Sequence, residues 1–386
     1  MIPYGKQDIT QDDIDSVVAV LKSDFLTQGP QVPLFEDSVA NAAGAEYSVA
    51  VNSATSALHI ACLALGVGKG DVVWTTPITF VASANCALYC GAEVDFVDID
   101  PVSYNLSANC LEEKLINSKR EGLNLPKVVI PVHLCGQPCE MDRIKALSEE
   151  YGFYIIEDAS HAIGGRYKGN PVGNCEYSDI TVFSFHPVKI VTTAEGGVAT
   201  TNSTELAQKM ELFRSHGVTR NPDLMTGNSD GGWYYEQVEL GYNYRMTELQ
   251  AALGVSQMSR LDEFVSRRNE LADRYDYMLK DFPLITPKQS PDAYSARHLY
   301  VIRLNLDEIP FTHKQVFEQL REKGIGVNIH YIPVHTQPYY QKLGFNEFEF
   351  IEAEKYYTNA ISLPLFPLMT DEQQNEVVSV LRNIIK

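Results

Sequence analysis

The first residue in this chain whose setting points to chemistry is a lysine among apolar and small neighbours. Lys189 lies in the run SFHPVKIVTTAEGG, which spans residues 184–197, and Glu195 is the only acid near it. The apolar stretch Ile180–Phe185 predicts a buried strand. His186-Pro187 ends it, because proline cannot continue a central ladder. Lys189 therefore falls on a turn before a second strand at Gly196–Thr201. Burial favours the neutral amine, the form that attacks carbonyl carbon and builds a Schiff base. The plain alternative is a surface lysine snorkelling from a strand end. The other strand ends decide between the two.

Asp158, in Glu157-Asp158-Ala159-Ser160-His161, follows the apolar run Phe153–Ile156 directly. A carboxylate there is costly unless it meets a cation or a donor, although it could simply cap the next segment. Asn52-Ser53-Ala54-Thr55-Ser56-Ala57-Leu58 opens a helix straight after a strand at Tyr47–Val51. The free N–H groups of such a helix start suit a phosphate, whereas an ordinary N-cap needs only one of these residues. Pro77-Ile78-Thr79-Phe80 places an aromatic on a strand-to-helix turn, for packing or for stacking on a ring. An amine, a carboxylate, an anion site and an aromatic are what a phosphorylated aromatic aldehyde requires. These are the demands of pyridoxal 5'-phosphate: the lysine forms the imine, the acid keeps the ring nitrogen protonated, the helix start takes the phosphate and the aromatic stacks.

The elements that must position these groups alternate between strand and helix. Helices are expected from about Thr10 to Lys22 and Val32 to Ala43, then through Ala64, from Phe80 to Cys90 and from Met141 to Tyr151. Strands are expected at Val72–Thr76, Val94–Val97 and Lys127–Val132. Such a repeat predicts a mostly parallel sheet covered on both faces, with ligands at the carboxyl ends of its strands. Beyond a helix at 205–216, the Gly- and Asn-rich stretch Asn221–Trp233 reads as a long exposed loop, a candidate lid. Helices follow from Thr247 to Lys280, and the domain boundary is set near residue 250, giving a large domain at 1–250 and a small one at 251–386. The small domain is expected to hold strands at His298–Leu304 and Gly326–His330, a helix at Thr312–Lys323 and a terminal helix from Asp371. A second polar and aromatic cluster, His330-Tyr331-Ile332-Pro333-Val334-His335, lies there.

A length of 386 residues agrees with a large and a smaller domain. With 31 basic against 50 acidic residues, the formal charge of −19 argues against nucleic acid or an anionic membrane as partner. No run is apolar enough to span a membrane and the N-terminus lacks the pattern of a signal peptide. The seven cysteines are odd in number and scattered, which fits reduced thiols in a cytoplasmic protein. His133-x-Cys135-x3-Cys139 is the one metal-like spacing. It lacks a second ligand pair, so no metal is expected.

The segments IPYG, DFLTQGP, NSATSALH, TTPITFVASAN, EDASHAIG, SFHPVK, TTAEGG, FRSHG, GYNYRMTELQAALG and HYIPVH resemble the DegT-type family of nucleotide-sugar aminotransferases over nearly the whole chain. The resemblance implies an α/β fold-type I PLP-dependent aminotransferase, whose large domain carries a mostly parallel mixed sheet beside a smaller C-terminal α+β domain. It implies that Lys189 carries the cofactor and shuttles the proton, while Asp158 pairs with the pyridine nitrogen. His161 would lie near the ring hydroxyl, Phe80 would stack, and Ala54, Thr55 and Ser184 would line the phosphate. Asn243 would reach the cofactor phosphate of a neighbouring subunit, making the active unit a homodimer with shared sites. Tyr4, the loop Asp24-Phe25-Leu26-Thr27 and His330-Tyr331-Ile332-Pro333 would hold the nucleotide-sugar, bordered by Ala54, Ser184 and Asn243. Ile190 departs from the small residue or proline expected there, which touches only the shape of the turn.

Within the family the chain is most similar to the transaminases of pseudaminic acid biosynthesis. That implies ping-pong transfer from L-glutamate, released as 2-oxoglutarate, to C4 of a UDP-linked 4-keto-6-deoxy-N-acetylhexosamine, with pyridoxamine phosphate in between. The alternatives are another nucleotide-linked keto sugar, such as UDP-4-keto-arabinose or a dTDP-keto-hexose, and a non-catalytic PLP-binding regulatory protein. A dehydratase on the same scaffold is disfavoured, because those relatives replace the lysine with histidine.

Overall fold

Seven strands form the central sheet of the computed structural model, which describes residues 1–385. They are β1 (Tyr47–Val51), β2 (Val72–Thr75), β3 (Glu93–Phe96), β4 (Val128–Ile130), β5 (Tyr154–Asp158), β6 (Ile180–Ser184) and β7 (Gly197–Thr201). Their order is β1-β7-β6-β5-β4-β2-β3. From β6 to β3 every pairing is parallel, and only β7 runs against its neighbours β1 and β6. The carboxyl ends of β1, β2, β4, β5 and β6 consequently share one edge, where Ala54, Thr55, Phe80, Asp158, His161, Ser184 and Lys189 lie at or just beyond the strand ends.

Alternation along the strands sends side chains to two faces. Val49, Val51, Val128, Ile130, Ile156 and Val182 pack under α3 (Ala54–Ala64), α4 (Ala82–Tyr89) and α7 (Thr204–Arg214). The opposite face holds Ala50, Phe183 and Val198 under α2 (Gln31–Ala43) and α8 (Glu248–Met258). Trp74, Val129 and Ile155 on that face lie under α5 (Ala108–Glu121) and α6 (Met141–Tyr151). Each fully buried Val, Leu or Phe side chain contributes about 1.5–3 kcal/mol. This two-sided burial, rather than helix propensity, holds the strand ends in place. Helix α1 (Gln11–Leu21), fixed by a Thr10–Asp13 capping box, packs across α8.

The smaller C-terminal unit pairs β8 (Leu284–Ile285), β9 (Tyr300–Leu304) and β10 (Ala360–Leu363) in antiparallel order. Its core joins the end of α9 (Leu261–Leu279) to α10 (His313–Glu322) and to the terminal helix Asp371–Ile385. The expected boundary at 250 lies inside α8, which packs on α1 and α2. Along α9, side chains as far as Val265 belong to the large-domain core and those from Leu271 to the small one, while Ala296, Val334 and Tyr340 pack back into the large-domain cores. Ile2 also joins the small core, its N–H donating to the Gly324 carbonyl at 2.8 Å and its carbonyl accepting from the Gly326 N–H at 2.7 Å. The expected strand at Gly326–His330 is instead irregular. Only Asn328 pairs, with Ser362, and its own side chain accepts from the N–H of Ile329 at 2.9 Å.

Candidate active site

The turn after β6 is closed by Lys189 N–H donating to the His186 carbonyl at 2.9 Å and Thr193 N–H to the Phe185 carbonyl at 3.0 Å. It presents Lys189 to a cavity of about 1010 Å³ at the carboxyl edge of the sheet. Lys189 is half-buried by area because the cavity opens onto it, yet protein atoms surround it. Burial pulls its amine from 10.5 down to about 8, against the opposing charge of Asp158.

Asp158 and its neighbour Glu157 leave β5 on opposite faces and do different work. Glu157 accepts from Ser178 at 2.5 Å and Thr181 at 3.1 Å, and pairs with His133 Nε2 at 2.6 Å. Burial acts upward on Glu157, but His133 and the two hydroxyls hold it below the usual carboxylate range. His133 Nδ1 accepts from the Cys139 N–H. The metal-like spacing is thus a structural pair, and no group of three or more metal-ligand side chains assembles among the described residues. Asp158 faces the cavity, its Oδ2 accepting from Ser83 at 2.6 Å and its Oδ1 from the Ser160 N–H at 3.1 Å.

Three imidazoles stand around the amine. His161 Nδ1 accepts from the Cys135 N–H at 3.3 Å, so its proton sits on Nε2, 3.1 Å from the Tyr331 hydroxyl. Burial, then Lys189 and His330, push His161 well below the usual range. His298 lies against it, ring centroids 4.4 Å apart and planes tilted by 40°, and is depressed likewise by burial. His330, hydrogen-bonded to Ser362 at 2.7 Å, falls to about 3 through burial and the charge of Lys189. All three are held neutral at neutral pH by burial and by the charge of Lys189.

At the start of α3, the Ser53 hydroxyl caps the Ser56 N–H and the Ser53 carbonyl takes the Ala57 N–H. The N–H groups of Ala54 and Thr55 have no protein acceptor among the described residues and point, with the positive end of the helix, at the cavity wall. Gly197 makes this possible, since a Cβ there would sit 2.5 Å from the Ala54 nitrogen. With Ser184 beside them, these donors fit a phosphate. Phe80, 59% exposed, lies at the cavity with one face free for a planar ring.

The cavity therefore collects Tyr4, Ala54, Thr55, Phe80, Asp158, His161, Ser184, Lys189, His330 and Tyr331. It does not collect Asp24, Phe25, Leu26, Thr27, Asn243, Ile332 or Pro333. Asn243 is held in a backbone bridge to Ser215, where Gly217 and Gly241 approach so closely that a Cβ on either would strike the other's backbone region. The loop 221–233 also stays off the cavity, organised by Glu236, which accepts from the N–H groups of Thr226 and Gly227. Sequence reasoning did not single out Ser83, Gln250, Asn328 or His298. Ser83 had a signal, standing one helical turn after Phe80, whereas His298 had none. A second cavity of about 770 Å³ lies in the small domain, but it is largely apolar and its His313 is bonded to the Ala360 carbonyl at 2.9 Å.

A half-buried amine and a carboxylate at strand ends, with the start of α3 between them, fit the demands of a fold-type I PLP-dependent enzyme. The chain belongs to the DegT/DnrJ/EryC1/StrS aminotransferase family, whose model matches residues 7–382. It is 39% identical to the spore coat polysaccharide biosynthesis protein SpsC of Bacillus subtilis, covering all of this chain and 97% of the relative. It is 38% identical to the UDP-4-amino-4,6-dideoxy-N-acetyl-β-L-altrosamine transaminase of Campylobacter jejuni, covering all of this chain and 98% of the relative. Among solved structures, Helicobacter pylori PseC, an aminotransferase involved in the biosynthesis of pseudoaminic acid, superposes with a TM-score of 0.90 at 32% identity, over 100% of this chain and 99% of that one. The PLP form of the putative sugar aminotransferase Spr1654 from Streptococcus pneumoniae gives 0.87 at 29% identity, over the whole of both chains.

Proposed function

We propose that this aminotransferase moves the amino group of L-glutamate to C4 of a UDP-linked 4-keto-6-deoxy-N-acetylhexosamine, in a cytoplasmic homodimer with shared sites. Pyridoxal phosphate, when bound, supplies a reactive aldehyde and an electron sink. Lys189 would hold its aldehyde carbon, Asp158 its ring nitrogen and Phe80 its ring. His161 would lie near the ring hydroxyl. The start of α3, with Ser184, would hold the phosphate.

The observation that carries this reading is the Lys189 amine, at about 8, in a cavity that also holds Asp158. Near neutral pH such an amine both takes and gives a proton, so Lys189 Nζ can move the proton that leaves the donor's α-carbon. Asp158 stays fixed by two donors and orients the ring. Tyr4, His330 and Tyr331 border the remaining space, which suits a nucleotide-sugar. A partner copy is supported by Phe25 and Leu26, both more than half exposed, and by Asn243 lying away from its own chain's cavity. Seven unbridged cysteines agree with a reducing compartment.

A panel of UDP- and dTDP-linked 4-keto sugars, each with glutamate, tests the assignment through 2-oxoglutarate release. Turnover confined to a dTDP-sugar or to a UDP-pentose would overturn it.

A further inference from the structure

Helix α4 begins at Ala82 without a side-chain cap from Val81. The hydroxyls nearby, on Thr79 and Ser83, are the ones that would ordinarily satisfy the first turn. They are directed elsewhere. Ser83 has one proton and two acceptors within reach, the Phe80 carbonyl at 3.4 Å and Asp158 Oδ2 at 2.6 Å. The shorter contact is to an anion and takes the proton. Thr79 Oγ1 stands 2.7 Å from Ser83 Oγ, whose lone pair it then bonds. The result is a directed chain, Thr79 to Ser83 to Asp158, in which all three side chains are buried.

We propose that the Thr79–Ser83 hydroxyl pair is a positioning device for Asp158: it fixes the plane of the carboxylate opposite the cofactor's ring nitrogen. This rests on Asp158 meeting that nitrogen, as proposed above. Without the Ser83 hydrogen bond the carboxylate turns more freely and would hold the ring nitrogen less well, so the ring would draw electrons less strongly. Ser83 does not line the cavity and acts only through Asp158, whereas Thr79 also borders the cavity, so its hydroxyl is isolated by comparing Thr79→Val with Thr79→Ser.

The test uses the PLP-loaded enzyme and compares Ser83→Ala, Thr79→Val and Thr79→Ser with Asp158→Asn. The readouts are the absorbance of bound cofactor against pH, cofactor dissociation on dilution, thermal midpoint and steady-state kinetics. Ser83→Ala should shift the absorbance profile in the direction of Asp158→Asn and lower kcat roughly tenfold, with KM for glutamate unchanged. Thr79→Val should produce a smaller shift of the same sign, and Thr79→Ser should restore the wild-type profile. If Asp158→Asn shifts the profile while Ser83→Ala and Thr79→Val superimpose on wild type, the pair merely fills the start of α4 and the inference fails. If Asp158→Asn itself leaves the profile unmoved, the reading of Asp158 fails too. Should Ser83→Ala not fold, the two Thr79 variants decide.

Discussion

The strand-end half of the site and its loop half are built on opposite principles. Lys189, Asp158, His161 and the start of α3 stand at the end of a sheet buried on both faces, with Asp158, His161 and the Ser53 cap each held by a named partner. The stretches around residues 24–27, 221–240 and 243 are exposed and contribute nothing to their own cavity. Chemistry that must hold atoms within a fraction of an ångström belongs on rigid elements, whereas recognition of a large ligand tolerates loops. The first half is complete within one chain. The second lies outside the cavity, the placement that the proposed shared site between two copies would produce.

Lys189→Ala strikes the rigid half and should have the largest effect, a loss of turnover of about a thousandfold or more. Borohydride reduction of the PLP-loaded wild type should add mass at Lys189, and reduction of the variant should add none. The pH dependence sharpens the point. At pH 8 about half of a Lys189 amine with a value near 8 is neutral, against roughly one part in 300 for an ordinary lysine. The rate at which added PLP attaches should climb to about pH 8 and then level off. A rate still rising steeply above pH 9 would show that the amine is not depressed. The same shift means the unfolded chain holds a proton the folded one has lost between about 8 and 10.5, so cofactor-free stability should rise with pH across that window.

Asp158→Asn comes next, with a fall in kcat of the order of a hundredfold at unchanged fold, read by circular dichroism and initial rates. A rate within twofold of wild type would remove Asp158 from the machinery.

Asn243→Ala probes the loop half. If this residue serves the neighbouring copy, cofactor affinity should drop about tenfold. Mixed with Lys189→Ala under subunit exchange, the weakened variant should regain wild-type cofactor affinity at one site per heterodimer, because that site then holds both residues intact. Mixtures whose cofactor affinity stays at that of Asn243→Ala alone would break the comparison at its root.

What the sequence made legible divides along the same line. Lys189, Asp158 and Thr55 each follow directly on an apolar strand, so their types and places announced them before any tertiary contact was known. Helix and strand positions in the large domain were legible for the same reason: two-sided burial demands continuous apolar runs. The strand expected at Gly326–His330 is absent because Ile2, from the far end of the chain, takes the backbone of Gly326. His161 and Tyr331 both stood out, but their hydrogen bond joins two domains, and no spacing encodes it. His298 lies just before a strand whose pattern explains it fully as core, so its ring contact with His161 had no local mark. Contacts set by tertiary closure are invisible to periodicity.

The smallest effect on rate should come from the residue next to the most sensitive carboxylate. Glu157 shares β5 with Asp158 and is equally buried, yet strand alternation turns it away from the cavity toward His133, Ser178 and Thr181. Glu157→Gln keeps the shape, removes the charge and leaves His133 with a weaker partner in a site closed to water. Breaking such a buried pair costs about 3–5 kcal/mol, which the amide's remaining hydrogen bonds would partly offset. The thermal midpoint should therefore fall by several degrees. Turnover per folded molecule below that midpoint should stay within about twofold of wild type, since nothing in the cavity moves. A strong loss of rate at full folding would mean that the two faces of β5 are coupled. The separation of a structural acid from a chemical one, one residue apart, would then have to be abandoned.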